Sequence, residues 1–434
     1  MLMTRFTINL HRFSSRSASA AKTWFMALVA SIMLLKFLLA ALTPLGYDFV
    51  LYMAVISRNE NFGAWSPWMI MAHYVYWFWL SLPIDHGNLL RAILLDPTQL
   101  LPSHYLLAAL VKTPLLVSDM TATFLIYKLA TKLSGSDTVA RRATILWLAN
   151  PFTTLFVEMW GSIDIIPVTL GLASIMFMIQ GHVHRSAAAI AAGIALKISP
   201  IITWLALISW VHGRKLPKTV ITDVFSLAVA SVLGVTGYFY WLSQGRLLNL
   251  TVQDFLGLLE SFYASSYTPV TQTFAENFPF PDAYLWTTVM ILIAFYMLAA
   301  EIWPRMNSAL ISLALSGVLL MYALTDLFPP AFLWAIPLVA LWHSKNGKLA
   351  YPVVFYALLA IFLQTFYYAE LTSTGLSFLF IPRNIIPMGN QLVAAAESLF
   401  LRQYFSLEIR SALSGAAFAY ATCVAWTSLR KDRD

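Results

Sequence analysis

Long apolar runs separated by short basic tracts constrain this chain more than any motif in it. A helix of about 20 apolar residues rises about 30 Å, the thickness of bilayer hydrocarbon. Twelve apolar membrane segments are expected, several of them shorter than that, at 24–43, 103–127, 143–158, 165–180, 187–198, 200–212, 220–243, 284–303, 308–327, 330–343, 350–370 and 411–429. Only 11% of the 434 residues are charged and 59% are hydrophobic, whereas soluble proteins carry about 25% charged residues. The expected fold class is therefore an all-α, polytopic transmembrane helical bundle. The single Cys423 excludes an internal disulfide framework and a cysteine-rich metal site.

The basic residues set an orientation. Alternating the segments collects 18 of the 27 Lys and Arg on the side of the N-terminal tail. The positive-inside rule makes that side cytoplasmic and places both termini there. Basic charge of this kind reads as a topology signal, so no nucleic-acid partner is expected. The tail 1–23 followed by an apolar run has the order of a signal peptide, but the run is longer than an h-region and Ala40-Ala41-Leu42-Thr43-Pro44 is a poor cleavage site. A retained first helix is expected, with Lys36 in it snorkelling or meeting an interior partner. Residues 187–212 are expected to form two short helices kinked at Ser199-Pro200, which keeps the basic tracts on both flanks inside.

Two long stretches on the outer side, 44–102 and 371–410, are rich in aromatic residues and weakly charged, as amphipathic helices lying among headgroups would be. The chain divides into the tail 1–23, a membrane module 24–343 with outer loop 44–102, and C-terminal helices 344–434 with outer loop 371–410. Fourteen of the 20 acids fall outside. Asp and Glu hardly influence topology, so this bias fits either a balance against the basic interior face or an active outer layer.

Several ionisable residues stand where they cost most. Asp48, the first acid in the sequence, follows the first helix at the water boundary, where it can serve as a catalytic base or cap the next helix. Lys112 and Asp119 lie seven apart, so their heads share a helix face about 10 Å apart. A shared interior partner or an aqueous cavity is implied, for an ion network or for substrate. Lys197 precedes Ser199-Pro200, where a broken helix can aim a cation and freed backbone groups at an anion; the competing reading is a cation snorkelling to headgroups.

The order of these features resembles the type-C glycosyltransferases. It is carried by Gly46-Tyr47-Asp48, Lys112 with Pro114 and Asp119, Asn150-Pro151 with Trp160-Gly161-Ser162-Ile163-Asp164, Gly193 to Pro200, and Phe332 to Pro337. The likeness is to polyprenyl-phosphate-mannose-dependent enzymes of glycosyltransferase family 87 and to the mannosyltransferases that build glycosylphosphatidylinositol anchors. It implies an inverting hexosyltransferase that takes a sugar from a polyprenyl- or dolichyl-phosphate donor to a lipid-linked or glycan acceptor on the non-cytoplasmic face. Under it Asp48 is the general base, and Lys197 and Lys112 hold the donor phosphate. Asp164, Asp119 and Glu158 then bind sugar or serve structure, while Tyr47, Trp160 and His73 supply stacking or phosphate contacts.

Several relatives carry an Asp-x-Asp pair in the first loop where residue 50 here is Val, and Ser162 replaces a frequent Gln. One carboxylate is a weak site for a hard cation, so neither metal nor other cofactor is expected. The irregular spacing of His73, Asp85, His86, Asp96 and His104 agrees. Two other classes use similar interior ions: a transporter or lipid flippase, for which no internal repeat is visible, and a non-catalytic subunit of a membrane complex.

Overall fold

The computed structural model describes residues 22–41, 102–159, 161–197, 200–213, 283–303, 306–324, 329–346 and 405–430. Among these the fold is all-helical. The expected segments 220–243 and 350–370, and nearly all of the loops 44–102 and 371–410, lie outside the described residues.

Local signals explain most helix ends. Helix α1 spans Lys22–Ala41. Helix α2, Pro102–Ser134, runs past the expected limit of 127 because nothing stops it before Gly135, whose φ of 67° suits a residue without Cβ. Ser136 then caps α3, Asp137–Leu148, its side chain accepting from the Val139 amide. The single segment expected at 143–158 is interrupted. Pro151 has no amide hydrogen, and Asn150 Oδ1 accepts from the Phe152 and Thr153 amides to start a new turn, α4, Pro151–Thr153. That turn continues as a π-helical segment, Thr154–Met159.

Helices α5, Ile165–Ile179, and α6, Val183–Leu196, form an antiparallel pair across a turn at Gly181, φ 80°. The expected break near Pro200 is present: Lys197 is extended, and α7 begins at Ile201 and ends at Gly213. Helices α8, Ala283–Ile302, and α9, Asn307–Leu324, are joined by a short connection. The segment expected at 330–343 starts as a 3-10 turn, Pro329–Trp334, before α10, Ile336–Asn346. Helix α11 is Phe405–Arg430.

Packing arranges these around α9, which is buried nearly throughout and touches α7, α8, α10 and α11. On the other side α5 packs on α2 and α6, and α10 packs on α3. Two described helices, Lys22–Ala41 and Asn307–Leu324, are long and apolar enough to cross a membrane; four other apolar helices are shorter. Polarity is distributed unusually: Lys36, Lys112, Asp119, Glu158 and Asp164 are buried, while Trp24, Met297 and Trp426 are 77%, 69% and 68% exposed.

The α2–α3 corner carries a charge that senses acid. Asp137 accepts from the Tyr127 hydroxyl and pairs with Arg141 one turn along. Chiefly the Tyr127 hydrogen bond, and then Arg141, hold its carboxyl below the ordinary value. A depressed folded value stabilises above the unfolded pKa of about 4, and that stabilisation is lost as pH falls through the folded value. Asp137→Asn is expected to lower the thermal-unfolding midpoint slightly at neutral pH and to remove an equally small fall of the midpoint below about pH 4, because this half-exposed pair is screened by solvent. An unchanged acid limb would count against the assignment.

Candidate functional site

The α5–α6 pair brings two of the predicted residues together. Its register is pinned halfway along by Ser174 and Ser186. Each hydroxyl donates to the other residue's carbonyl at 2.8 Å. Ten residues before Ser174 and eleven after Ser186, at the open end of the pair, lie Asp164 and Lys197. The Lys197 Nζ donates to Asp164 Oδ2 at 2.8 Å. Close approach of the helices is permitted by Gly193, where a Cβ would sit 3.2 Å from the Pro200 ring and 3.4 Å from Leu170 Cβ.

Asp164 occupies the position before α5 but does not cap it. Instead its carboxylate accepts from three side chains: Lys197, the Trp334 indole N–H at 3.0 Å and the Ser162 hydroxyl at 3.0 Å. Trp334 arrives from the 3-10 turn before α10, so the site joins segments far apart in sequence. Asp164 is buried, whereas the Lys197 side chain is 27% exposed. An ammonium has three donors, and among the described residues the only hydrogen bond assigned to it is the one to Asp164. A small open cleft, with about 20 Å³ of room for water-sized spheres, lies alongside, lined by Pro167, Gly171, Pro200, Val318, Trp334 and Pro337 among others. Trp334 thus has its N–H in the polar cluster and lines the apolar cleft.

A second cluster lies between α1, α2 and the π-helical segment. Lys36 Nζ donates to Asp119 Oδ2 at 2.7 Å and to Glu158 Oε1 at 3.3 Å. Asp119 also accepts from the Trp147 indole at 2.8 Å. Lys112 Nζ donates to the Ala40 carbonyl at 3.3 Å and the Glu158 carbonyl at 2.6 Å. Two cations and two carboxylates are therefore buried together, which balances the charge and meets the requirement that buried ions be paired. The expected interior partner of Lys36 is Asp119, and Lys36 is also the shared partner through which Asp119 meets Glu158.

Five of the nine residues singled out from sequence fall in these two clusters: Lys197 and Asp164 in the first, Lys112, Asp119 and Glu158 in the second. Asp48, Tyr47, His73 and Trp160 lie outside the described residues. The clusters are joined by the short link from Glu158 to Asp164, in which Gly161 takes φ 77° and the Ser162 amide donates to the Phe156 carbonyl at 2.8 Å. Sequence reasoning left Trp334, Ser162 and Trp147 without a role. Trp334 and Ser162 stood within the motifs that were singled out, but nothing local marks Trp147 as the partner of Asp119. The chain matches no protein-family model and no curated protein.

Proposed function

We propose that the chain is an integral membrane glycosyltransferase that moves a hexose from a polyprenyl-phosphate carrier to a hydroxyl of a lipid-linked or glycan acceptor, on the non-cytoplasmic face. That the chain is a membrane bundle is supported by the polarity of the described helices, while the twelve segments and the cytoplasmic termini rest on the pattern of apolar runs and basic tracts in the sequence. Helices that hide carboxylates and ammonium groups while exposing tryptophan and methionine suit hydrocarbon better than water.

The single observation that carries the transferase reading is the half-buried Lys197 ammonium, held by an Asp164 carboxylate that also accepts from Ser162 and Trp334, beside a small apolar cleft. A lipid phosphate has the matching chemistry, with an anionic head for the ammonium and a hydrocarbon chain. As the acceptor hydroxyl attacks the anomeric carbon, the bond to the phosphate oxygen breaks and negative charge grows on the leaving group. Lys197 offsets that charge most in the transition state. Asp48 takes the hydroxyl proton as general base, and attack opposite the leaving group inverts the anomeric centre. Lys112 donates to two backbone carbonyls in the second cluster, so this reading gives the phosphate to Lys197 alone. Asp119 and Glu158 serve as partners of Lys36 rather than of sugar.

The test is transfer from radiolabelled polyprenyl-phosphate mannose in membranes holding wild type, Asp48→Asn or Lys197→Gln at matched protein levels. Wild type is expected to transfer, Asp48→Asn to lose at least about a hundredfold, and Lys197→Gln to lower kcat more than it raises the donor KM. Equal transfer by wild type and Asp48→Asn removes Asp48 as the base. Absence of transfer by wild type overturns the reading.

A further inference from the structure

Helix α1 makes unusual use of Lys36, the charge in its apolar interior. Among its residues only Lys36 and Ala40 are buried; Trp24, Met26, Leu34, Leu35, Phe37 and Leu38 are exposed. Both buried positions are tied to the second cluster, Lys36 through its ammonium to Asp119 and Glu158, Ala40 through its carbonyl to Lys112. An apolar helix in hydrocarbon gains little from exchanging lipid for apolar protein neighbours, so such contacts alone let it slide or rotate. A buried charge pair has one low-energy geometry and therefore sets rotation and register, as polar residues do in helical bundles.

We propose that Lys36, Lys112, Asp119 and Glu158 form the positioning base of the site. They seat α1 and the end of the π-helical segment in one frame. One described stretch leaves that frame toward the first cluster, running from Glu158 through Gly161 to Asp164. Lys112 ties α1 to the start of that stretch with one amine, donating to the Ala40 and Glu158 carbonyls. Lys36 and Lys112 are thus positioning residues that act on the reaction by placing Asp164 and the Lys197 ammonium it holds, and this part of the proposal rests on the transferase reading.

The experiment has two readouts, of which one needs no activity. In a Cys423→Ser background, spin labels at the exposed positions Leu34 and Met120 report the α1–α2 distance by pulsed electron resonance in the full chain. The unsubstituted cluster is expected to give one narrow distribution and Lys36→Met a broad one. In parallel, kcat per folded protein is expected to fall at least about tenfold in Lys36→Met, as misplacement of reacting groups predicts. The donor KM is expected to rise by a smaller factor than kcat falls, the pattern that displacement of Lys197 predicts.

A narrow distribution in Lys36→Met overturns the seating of α1. A broad one with unchanged kcat overturns the positioning role. If Lys36→Met does not accumulate, Lys36→Arg takes its place. It keeps the charge but changes donor geometry, and it must shift the distance and lower kcat, or the proposal falls. If wild type transfers no sugar, the transferase reading fails while the distance measurement still decides whether the cluster seats α1.

Discussion

Asp119→Leu is expected to lower the unfolding free energy of the purified protein by about 3–5 kcal/mol, the usual cost of breaking a buried ion pair from one side. Asp119 accepts from Lys36 and from the Trp147 indole, and all three side chains are buried. Its removal leaves the cluster with one uncompensated positive charge and an indole N–H without its acceptor. The informative companion is the double substitution Lys36→Met with Asp119→Leu. It removes a neutral pair and leaves Lys112 beside Glu158, so its charge penalty should vanish. What remains is the unsatisfied Trp147 N–H, worth about 1–3 kcal/mol, together with the hydrogen bond that Glu158 loses with Lys36. The double variant is therefore expected to be more stable than either single variant. Loss of helicity during thermal or denaturant unfolding in detergent measures all four proteins. Additive costs would mean that the cluster is not a coupled charge network.

Gly317→Ala is expected to destabilise by roughly 3–5 kcal/mol, combining overpacking with loss of a buried hydrogen bond. Gly317 lies on α9 where α7 and α8 cross it. A Cβ at this position would overlap the Tyr296 hydroxyl, lie 2.7 Å from its Cζ and approach Ile202 Cγ2 at 3.2 Å. Tyr296 cannot simply step aside, because it is buried and its hydroxyl donates to the Ile202 carbonyl at 3.1 Å. Moving the ring leaves its buried hydroxyl without an acceptor and pushes on a helix that begins at Ile201, just past Lys197 and Pro200. In a Tyr296→Leu background the obstructing ring is gone, and the same Gly317→Ala change should then cost less than about 1 kcal/mol. A large cost in both backgrounds would show that the ring is not the obstacle.

The two substitutions differ in how far they were foreshadowed. The ionisable residues inside apolar runs advertise themselves, because each must find a partner or water. Lys112, Asp119 and Lys197 were singled out on that ground alone. A glycine within an apolar helix carries no such mark. What makes Gly317 critical is the arrival of Tyr296 from another helix.

The sequence by itself determined the helical class, the break at Pro200 and the position of most helix ends. These follow from interactions within one or two turns: a proline lacking its amide hydrogen, a glycine able to take positive φ, an Asn or Ser side chain capping the next turn. Asn150-Pro151 belongs to the same class, and the segment expected to run unbroken through it in fact divides there. Only the tertiary structure decided the pairings. Lys36 meets Asp119 across 83 residues and Glu158 across 122, and Trp334 reaches Asp164 across 170. A buried charge announces from sequence that it needs a partner. Which partner it takes depends on the rotation of whole helices, and apolar faces of similar composition leave that rotation open until the packed bundle closes around the charges.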